Sequence, residues 1–155
     1  MEKSSFKEKN RAFQEIVREI TIIREWNKHN ENDQRMLLLL AEGSLTLVAF
    51  EHFLRAFLDE YSDSYTLYNL LQKSILKGIQ LNAIDNEKAI KILTEVRNSI
   101  IHGNFEKAAQ INGCDSVGEY FSKFYIAEIE FMHQLLNNIV EQVNIETGEI
   151  SIQNK

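Results

Sequence analysis

The sequence predicts an all-α protein, an up-and-down bundle of about five helices. The chain has 155 residues and no proline, so long helices can run without the kink that proline imposes. Apolar residues recur at spacings of three and four along most of the chain, which places them on one face of a helix. Turn-forming residues are sparse between these stretches. The length suits one domain with a substantial hydrophobic core, and no linker divides residues 1–155.

Five main helices are expected, at about residues 5–29, 33–60, 65–81, 85–102 and 117–144, with a short helix at 105–111. The second is apolar almost all round, as is typical of a central helix in a bundle. We expect the core to lie between the second, fourth and fifth helices. Gly43, inside the second helix, would allow a close approach of another helix. In the C-terminal tail, residues 145–155, Thr147 and Gly148 signal the turn of a small hairpin.

Composition argues for an intracellular protein without a general nucleic-acid-binding surface. The formal net charge is -6, so any RNA or DNA site must be a local positive cleft. The single cysteine, Cys114, cannot form an internal disulfide, which fits a reducing compartment. The N-terminus lacks the apolar segment of a signal peptide. The most apolar stretch, residues 36–50, is interrupted by Glu42 and is too short for a membrane span. We therefore expect a cytoplasmic protein that does not contact a membrane.

No metal or cofactor is expected from the sequence. Glu130 and His133 have the E-x-x-H spacing of di-iron helical bundles, but such bundles need two of these pairs and two further glutamates. The four histidines are scattered, and there is no cysteine pair for zinc. The sequence has no phosphate-binding glycine loop and no dinucleotide-binding fingerprint. His133 is therefore expected to be a partly buried helix residue.

The stretch from Arg97 to Gly103 concentrates the side chains best suited to chemistry. Asn98 and His102 are four residues apart and share a helix face, and the long side chain of Arg97 can reach that face. Gly103 predicts the end of the helix in a left-handed cap. Two interpretations are open. Basic side chains at a helix C-terminus can simply stabilise it, or these three residues can form a functional site.

The segment Arg97-Asn98-Ser99-Ile100-Ile101-His102 resembles the R-x4-6-H motif of HEPN domains, and the polar residue directly after the arginine also fits. These small all-α bundles are common in prokaryotic toxin and antiviral systems. The order of the helices over about residues 36–143 is similar as well. The resemblance implies a metal-independent endoribonuclease, acting as a toxin or defence effector, in which two motifs meet at a homodimer interface and form one composite active site.

The resemblance also suggests roles for individual residues. Arg97 and His102 would be catalytic, and Asn98, Glu51 and Asn104 are candidates for binding RNA or orienting the catalytic pair. An antitoxin or a nucleotidyltransferase is an implied partner. Members paired with a minimal nucleotidyltransferase often carry tyrosine two residues after the histidine, where this chain has Asn104, which puts that mode of control in doubt. The alternative function is a non-catalytic HEPN-like module that binds RNA, nucleotide or a protein partner.

Overall fold

Helix α3, Gln34–Leu58, is the element around which the other helices pack. In the computed structural model, which describes residues 5–28 and 34–151, Ala49, Phe50, Phe53 and Leu54 of this helix have no solvent-exposed surface. A helix that is apolar on most of its circumference is stable in water only when other helices cover it. Among the described residues, no helix is long and apolar enough to cross a membrane.

The described residues form seven helices, which confirms the all-α class and raises the expected count of five. The others are α1 Phe6–Lys9, α2 Arg11–Lys28, α4 Leu67–Lys77, α5 at residues 83–101, α6 Phe105–Ile111 and α7 at residues 117–141. The two additional helices are α6, the short helix that was predicted, and α1, which is separated from α2 at Asn10. The predicted break at residues 30–33 lies outside the described residues.

Helix α3 contacts α2, α4, α5 and α7, so the core is wider than the three helices predicted to enclose it. Phe13 and Ile20 of α2 are buried in it, as are Leu70 and Leu71 of α4. Successive contacts between α3 and α7 occur at increasing residue numbers in both helices. Leu39 meets Tyr125, and Thr46 meets His133. Helix α7 therefore runs parallel to α3. The chain reverses direction in α6, which connects α5 to α7.

Two of the long helices contain a π-helical turn. In α5 it covers Lys91–Val96, and in α7 it covers Phe121–Tyr125. A π turn contains about one residue more than an α turn, so residues five apart lie close to the same face. This explains why Tyr120 and Tyr125 are both fully buried. These π turns were not predicted, because the predicted helices assume the uniform spacing of an α-helix along their whole length.

Gly43 lies where α3 and α7 approach each other closely, which confirms its predicted role. A Cβ atom at this position would collide with the Tyr125 hydroxyl and would lie 3.2 Å from Tyr125 Cζ and 3.5 Å from Ile129 Cδ1. The same Tyr125 hydroxyl donates a hydrogen bond to the Leu39 carbonyl oxygen at 3.0 Å. The contact depends on the absence of a side chain at residue 43.

The tail folds back onto the helical body. Val143 and Ile150 form an antiparallel bridge, and Gly148 adopts a left-handed backbone with φ of 73°. A Cβ at Gly148 would lie 2.7 Å from the Phe6 ring, so the turn packs directly on α1. Residues 152–155 of the predicted tail lie outside the described residues.

We expect Gly43→Ala to destabilise the protein by up to about 2 kcal/mol. Alanine improves helix propensity by about 1 kcal/mol, but the added methyl group displaces the Tyr125 ring and breaks its hydrogen bond to Leu39, an overpacking cost of about 1–3 kcal/mol. Gly118→Ala is the matched control, since a Cβ there meets only Ser116 Oγ at 3.9 Å. Urea denaturation measures both variants. Equal stabilities for Gly43→Ala and Gly118→Ala would contradict the close contact.

Candidate functional site

The motif lies at the C-terminal end of α5, and the backbone closes that end as the sequence predicts. Gly103 has φ of 70°, the left-handed conformation that glycine adopts without steric cost. Its N–H donates to the Ile100 carbonyl at 3.2 Å, and the Asn104 N–H donates to the Ser99 carbonyl at 2.7 Å. These two bonds make a Schellman cap. The cap uses only backbone groups, so the side chains of Arg97 and His102 are not needed to end the helix.

The structure brings Arg97 and Asn98 into direct contact. Arg97 Nη1 donates to Asn98 Oδ1 at 3.1 Å, and the Arg97 side chain is only partly exposed. His102 follows one turn later, with its N–H bonded to the Asn98 carbonyl at 3.1 Å. The imidazole is exposed and has no hydrogen bond or ion pair within the described part of the chain. A guanidinium, a carboxamide and an imidazole thus project from the last two turns of one helix.

The π turn of α5 ends directly before Arg97 and sets the direction of the motif. The Arg97 N–H donates to the Ile92 carbonyl, five residues back. The extra residue turns the motif by about 100° relative to the first half of α5. Lys91, which a regular α-helix would align with Asn98 and His102, is instead half-buried and donates to Asn112 Oδ1 at 2.9 Å.

A buried polar network behind the motif holds α5 against α7. Glu128 is 9% exposed and accepts hydrogen bonds from the Tyr120 hydroxyl at 2.7 Å and from Asn112 Nδ2 at 3.0 Å. Asn112 in turn accepts the bond from Lys91. Burial raises the pKa of Glu128, although these hydrogen bonds and the Lys91 charge act in the opposite direction. Sequence reasoning missed this network; its signal was an ionisable residue beside Ile129 on the apolar face of α7.

Asn104, a predicted substrate-binding or orienting residue, has a structural contact. Its side-chain oxygen accepts the Lys107 N–H at 3.3 Å and caps the first turn of α6. Phe105 then packs on the rings of Phe121 and Tyr125, at centroid distances of 5.0 and 6.5 Å. The residues after His102 are therefore anchored on the π turn of α7.

Glu51, the other predicted orienting residue, pairs within α3. Its Oε1 accepts Arg55 Nη2 at 2.9 Å and Arg55 Nε at 3.1 Å. The same guanidinium donates to the carbonyl oxygens of Glu60, Ser62 and Tyr65, so the pair holds the connection between α3 and α4. Within the described residues, Glu51 has no hydrogen bond to the motif.

A second polar cluster lies between α2, α3 and α7. Arg24 Nη2 donates to Glu130 Oε1 at 2.8 Å, and Arg24 Nε lies 3.7 Å from the buried carboxylate of Glu42. His133 Nε2 is 3.4 Å from Thr46 Oγ1. Burial and the nearby Arg24 charge lower the pKa of His133 to about 4, so its imidazole is neutral at pH 7.

The cluster contains both members of the E-x-x-H pair, Glu130 and His133. Among the described residues, no group of three or more histidine, cysteine, aspartate or glutamate side chains is placed to hold a metal ion. The Glu130 Oε1 atom forms an ion pair with Arg24.

We expect His133→Gln to remove part of the acid sensitivity of the fold. The pKa of His133 is about 4 in the folded protein and 6.5 ordinarily, so only the unfolded chain binds the proton between these values. Stability is then lost as pH falls from 6.5 to 4, by at most about 3 kcal/mol. The raised pKa values of Glu42 and Glu128 act in the opposite direction, but both proteins share them. Urea denaturation at pH 4 to 7, with His52→Gln as the exposed control, measures the difference; parallel curves for wild type and His133→Gln would contradict the assignment.

No model of a known protein family matches this chain, and no curated protein or solved structure matches it.

Proposed function

We propose that the protein is a metal-independent endoribonuclease of HEPN type, acting as a toxin or defence effector, with its active site formed by two motifs in a homodimer. The observation that carries the proposal is the availability of the motif side chains. The Schellman cap at Gly103 satisfies the end of α5 with backbone groups, and the His102 imidazole has no partner in the described chain. Arg97 is fixed by Asn98 at 3.1 Å but keeps further N–H groups for a ligand.

The side chains suit the transfer of an RNA phosphodiester to its own 2′-hydroxyl. That hydroxyl loses a proton as its oxygen attacks phosphorus, and the 5′-oxygen of the next nucleotide leaves and takes up a proton. His102 can move a proton at neutral pH. The guanidinium of Arg97 can hold two phosphate oxygens and stabilise the charge that develops on them. The products are a 2′,3′-cyclic phosphate and a free 5′-hydroxyl.

Two copies of the motif supply what one chain lacks. The reaction needs a group that removes a proton and a group that donates one, and each motif has one histidine. Two Arg97 side chains would also provide local positive charge in a chain whose net charge is -6. The apolar face of α7 offers no comparable dimer surface at Tyr125, Ile129 and Met132, because these side chains are buried within one chain. The proposal therefore rests on the motif face.

The non-catalytic module is the second candidate function. It is favoured by one observation: among the described residues of the motif, the side-chain hydrogen bond joins Arg97 to Asn98 and does not include the His102 imidazole. A guanidinium held by a carboxamide can bind a phosphate of RNA or nucleotide without moving a proton. In this reading, His102 contributes to binding at most.

The role of His102 predicts a specific pattern in two variants. If it transfers a proton, His102→Ala lowers turnover by roughly 10²–10⁴-fold while RNA binding changes little. Arg97→Lys should be nearly as damaging as Arg97→Ala, because an ammonium cannot reproduce two parallel hydrogen bonds. Glu51→Gln should lower turnover less than the Arg97 and His102 substitutions do. Cleavage of labelled RNA and fluorescence anisotropy measure turnover and binding, with Arg18→Ala as an exposed arginine control on α2.

All variants must first melt as the wild type does. Full activity in a stable, dimeric His102→Ala protein would refute the catalytic role and leave the binding module as the function.

The homodimer is expected to depend on the motif face. Light scattering at micromolar concentration should give twice the 18.1 kDa of one chain. Asn98→Arg adds two positive charges where the Arg97 side chains meet and should shift the protein toward the monomer. Asn86→Arg, an exposed asparagine at the other end of α5, should remain dimeric. A wild type that stays monomeric at all concentrations would exclude the composite site.

A further inference from the structure

Helices α2 and α7 are separated by a groove. Its volume is about 470 Å³, and residues of both helices line it. Pockets that bind small molecules commonly have volumes of about 300–1,000 Å³ and lie between the helices of bundles. None of the motif residues lines this groove, so it is a second candidate site, separate from the proposed ribonuclease centre.

The groove is apolar at one end and polar at the other. Because Arg24 contacts Glu130 while Phe13 and Val17 line the groove with Val140, α2 and α7 run antiparallel along it. The apolar end contains Phe13, Val17, Leu136 and Val140, and Ile20 continues its floor. The lining of α2 covers residues 13–28, about 22 Å of helix at 1.5 Å per residue.

Two cations lie at the polar end. Lys28 is exposed and 3.3 Å from Glu25 on the same rim. Arg24 is 35% exposed and lies between Glu130 and Glu42, which hold its Nη2 and Nε sides. Its Nη1 has no hydrogen-bond partner within the described residues, so one edge of the guanidinium remains available. Burial raises the pKa of Glu42, and the neighbouring Arg24 charge acts in the opposite direction.

Apart from Glu25, which pairs with Lys28, the remaining polar lining is uncharged, and it includes Gln14 at the apolar end. His133 contributes a neutral imidazole, and Thr21 and Asn137 contribute a hydroxyl and an amide. An apolar channel that ends at a partly available guanidinium matches a ligand with a hydrocarbon tail and one anionic oxygen group. A cationic head group would face Arg24 and Lys28 as like charges.

We propose that the groove between α2 and α7 binds a single-chain aliphatic carboxylate, with its tail along Phe13, Val17 and Val140 and its carboxylate at Arg24 and Lys28. The inference does not depend on ribonuclease activity, because no residue of the groove belongs to the motif. The volume suits one such molecule rather than a partner helix.

Dodecanoate below its micellar concentration is the probe, and calorimetry on the full chain measures its binding. We expect saturable binding of one molecule per chain. Val17→Glu places a charge on the tail path and should weaken binding by roughly ten-fold or more. Ile22→Glu is the matched control, because Ile22 is 39% exposed, Val17 is 38% exposed, and Ile22 does not line the groove. Its affinity should equal that of the wild type.

The contribution of the cations is tested separately. Lys28→Met removes an exposed charge without disturbing the core and should weaken dodecanoate binding several-fold, whereas dodecan-1-ol should bind the wild type more weakly than dodecanoate. The absence of saturable dodecanoate binding would overturn the proposal. Equal effects of Val17→Glu and Ile22→Glu, or dodecan-1-ol binding as tightly as dodecanoate, would overturn it as well.

Discussion

The structure depends on the need to cover α3. This helix is apolar on nearly every side, and Ala49, Phe50, Phe53 and Leu54 are fully buried because α2, α4, α5 and α7 surround it. The contact with α7 needs Gly43, where the Tyr125 side chain occupies the space that a side chain at residue 43 would fill. Once α7 is held parallel to α3, the short helix α6 must return the chain between α5 and α7. That return begins at Gly103, so the motif lies at a corner that the packing of α3 requires.

Much of this organisation was predictable from the sequence. Helical periodicity identified the main helices and the short helix α6, and Gly103 predicted the end of α5 because few other residues adopt its backbone conformation. Ser116, a residue type that commonly caps helices, accepts the Glu119 N–H at 3.1 Å at the start of α7. These features depend on residues close in sequence, where local rules are strong.

The close approach at Gly43 was predicted, but the π turns and the polar contacts around the site were not. The π turn in α7 is visible only as the five-residue spacing of Tyr120 and Tyr125, which makes sense once both rings are seen to be buried. Glu51 was predicted to be a site residue. In the structure it pairs with Arg55, four residues later on the same helix, and Arg55 also donates a hydrogen bond to the loop that follows α3. The buried network of Glu128 was missed because Tyr120 lies 8 residues earlier on α7 and Asn112 lies 16 residues earlier, after α6, so neither is at the i,i+3 or i,i+4 spacing.

The proposed activity rests on the side chains of Arg97 and His102, which the fold positions but does not need in order to end α5. Arg97 and His102 are turned outward by the π turn of α5, and the Lys91–Asn112–Glu128 contacts fix the helix behind them. The most direct test is the chemistry of the products. RNA of mixed sequence incubated with the wild type in excess chelator should yield 2′,3′-cyclic phosphate and 5′-hydroxyl ends, and the His102→Ala protein should yield none above background. Cleavage that the chelator abolishes, products with 3′-hydroxyl ends, or intact RNA would contradict the account.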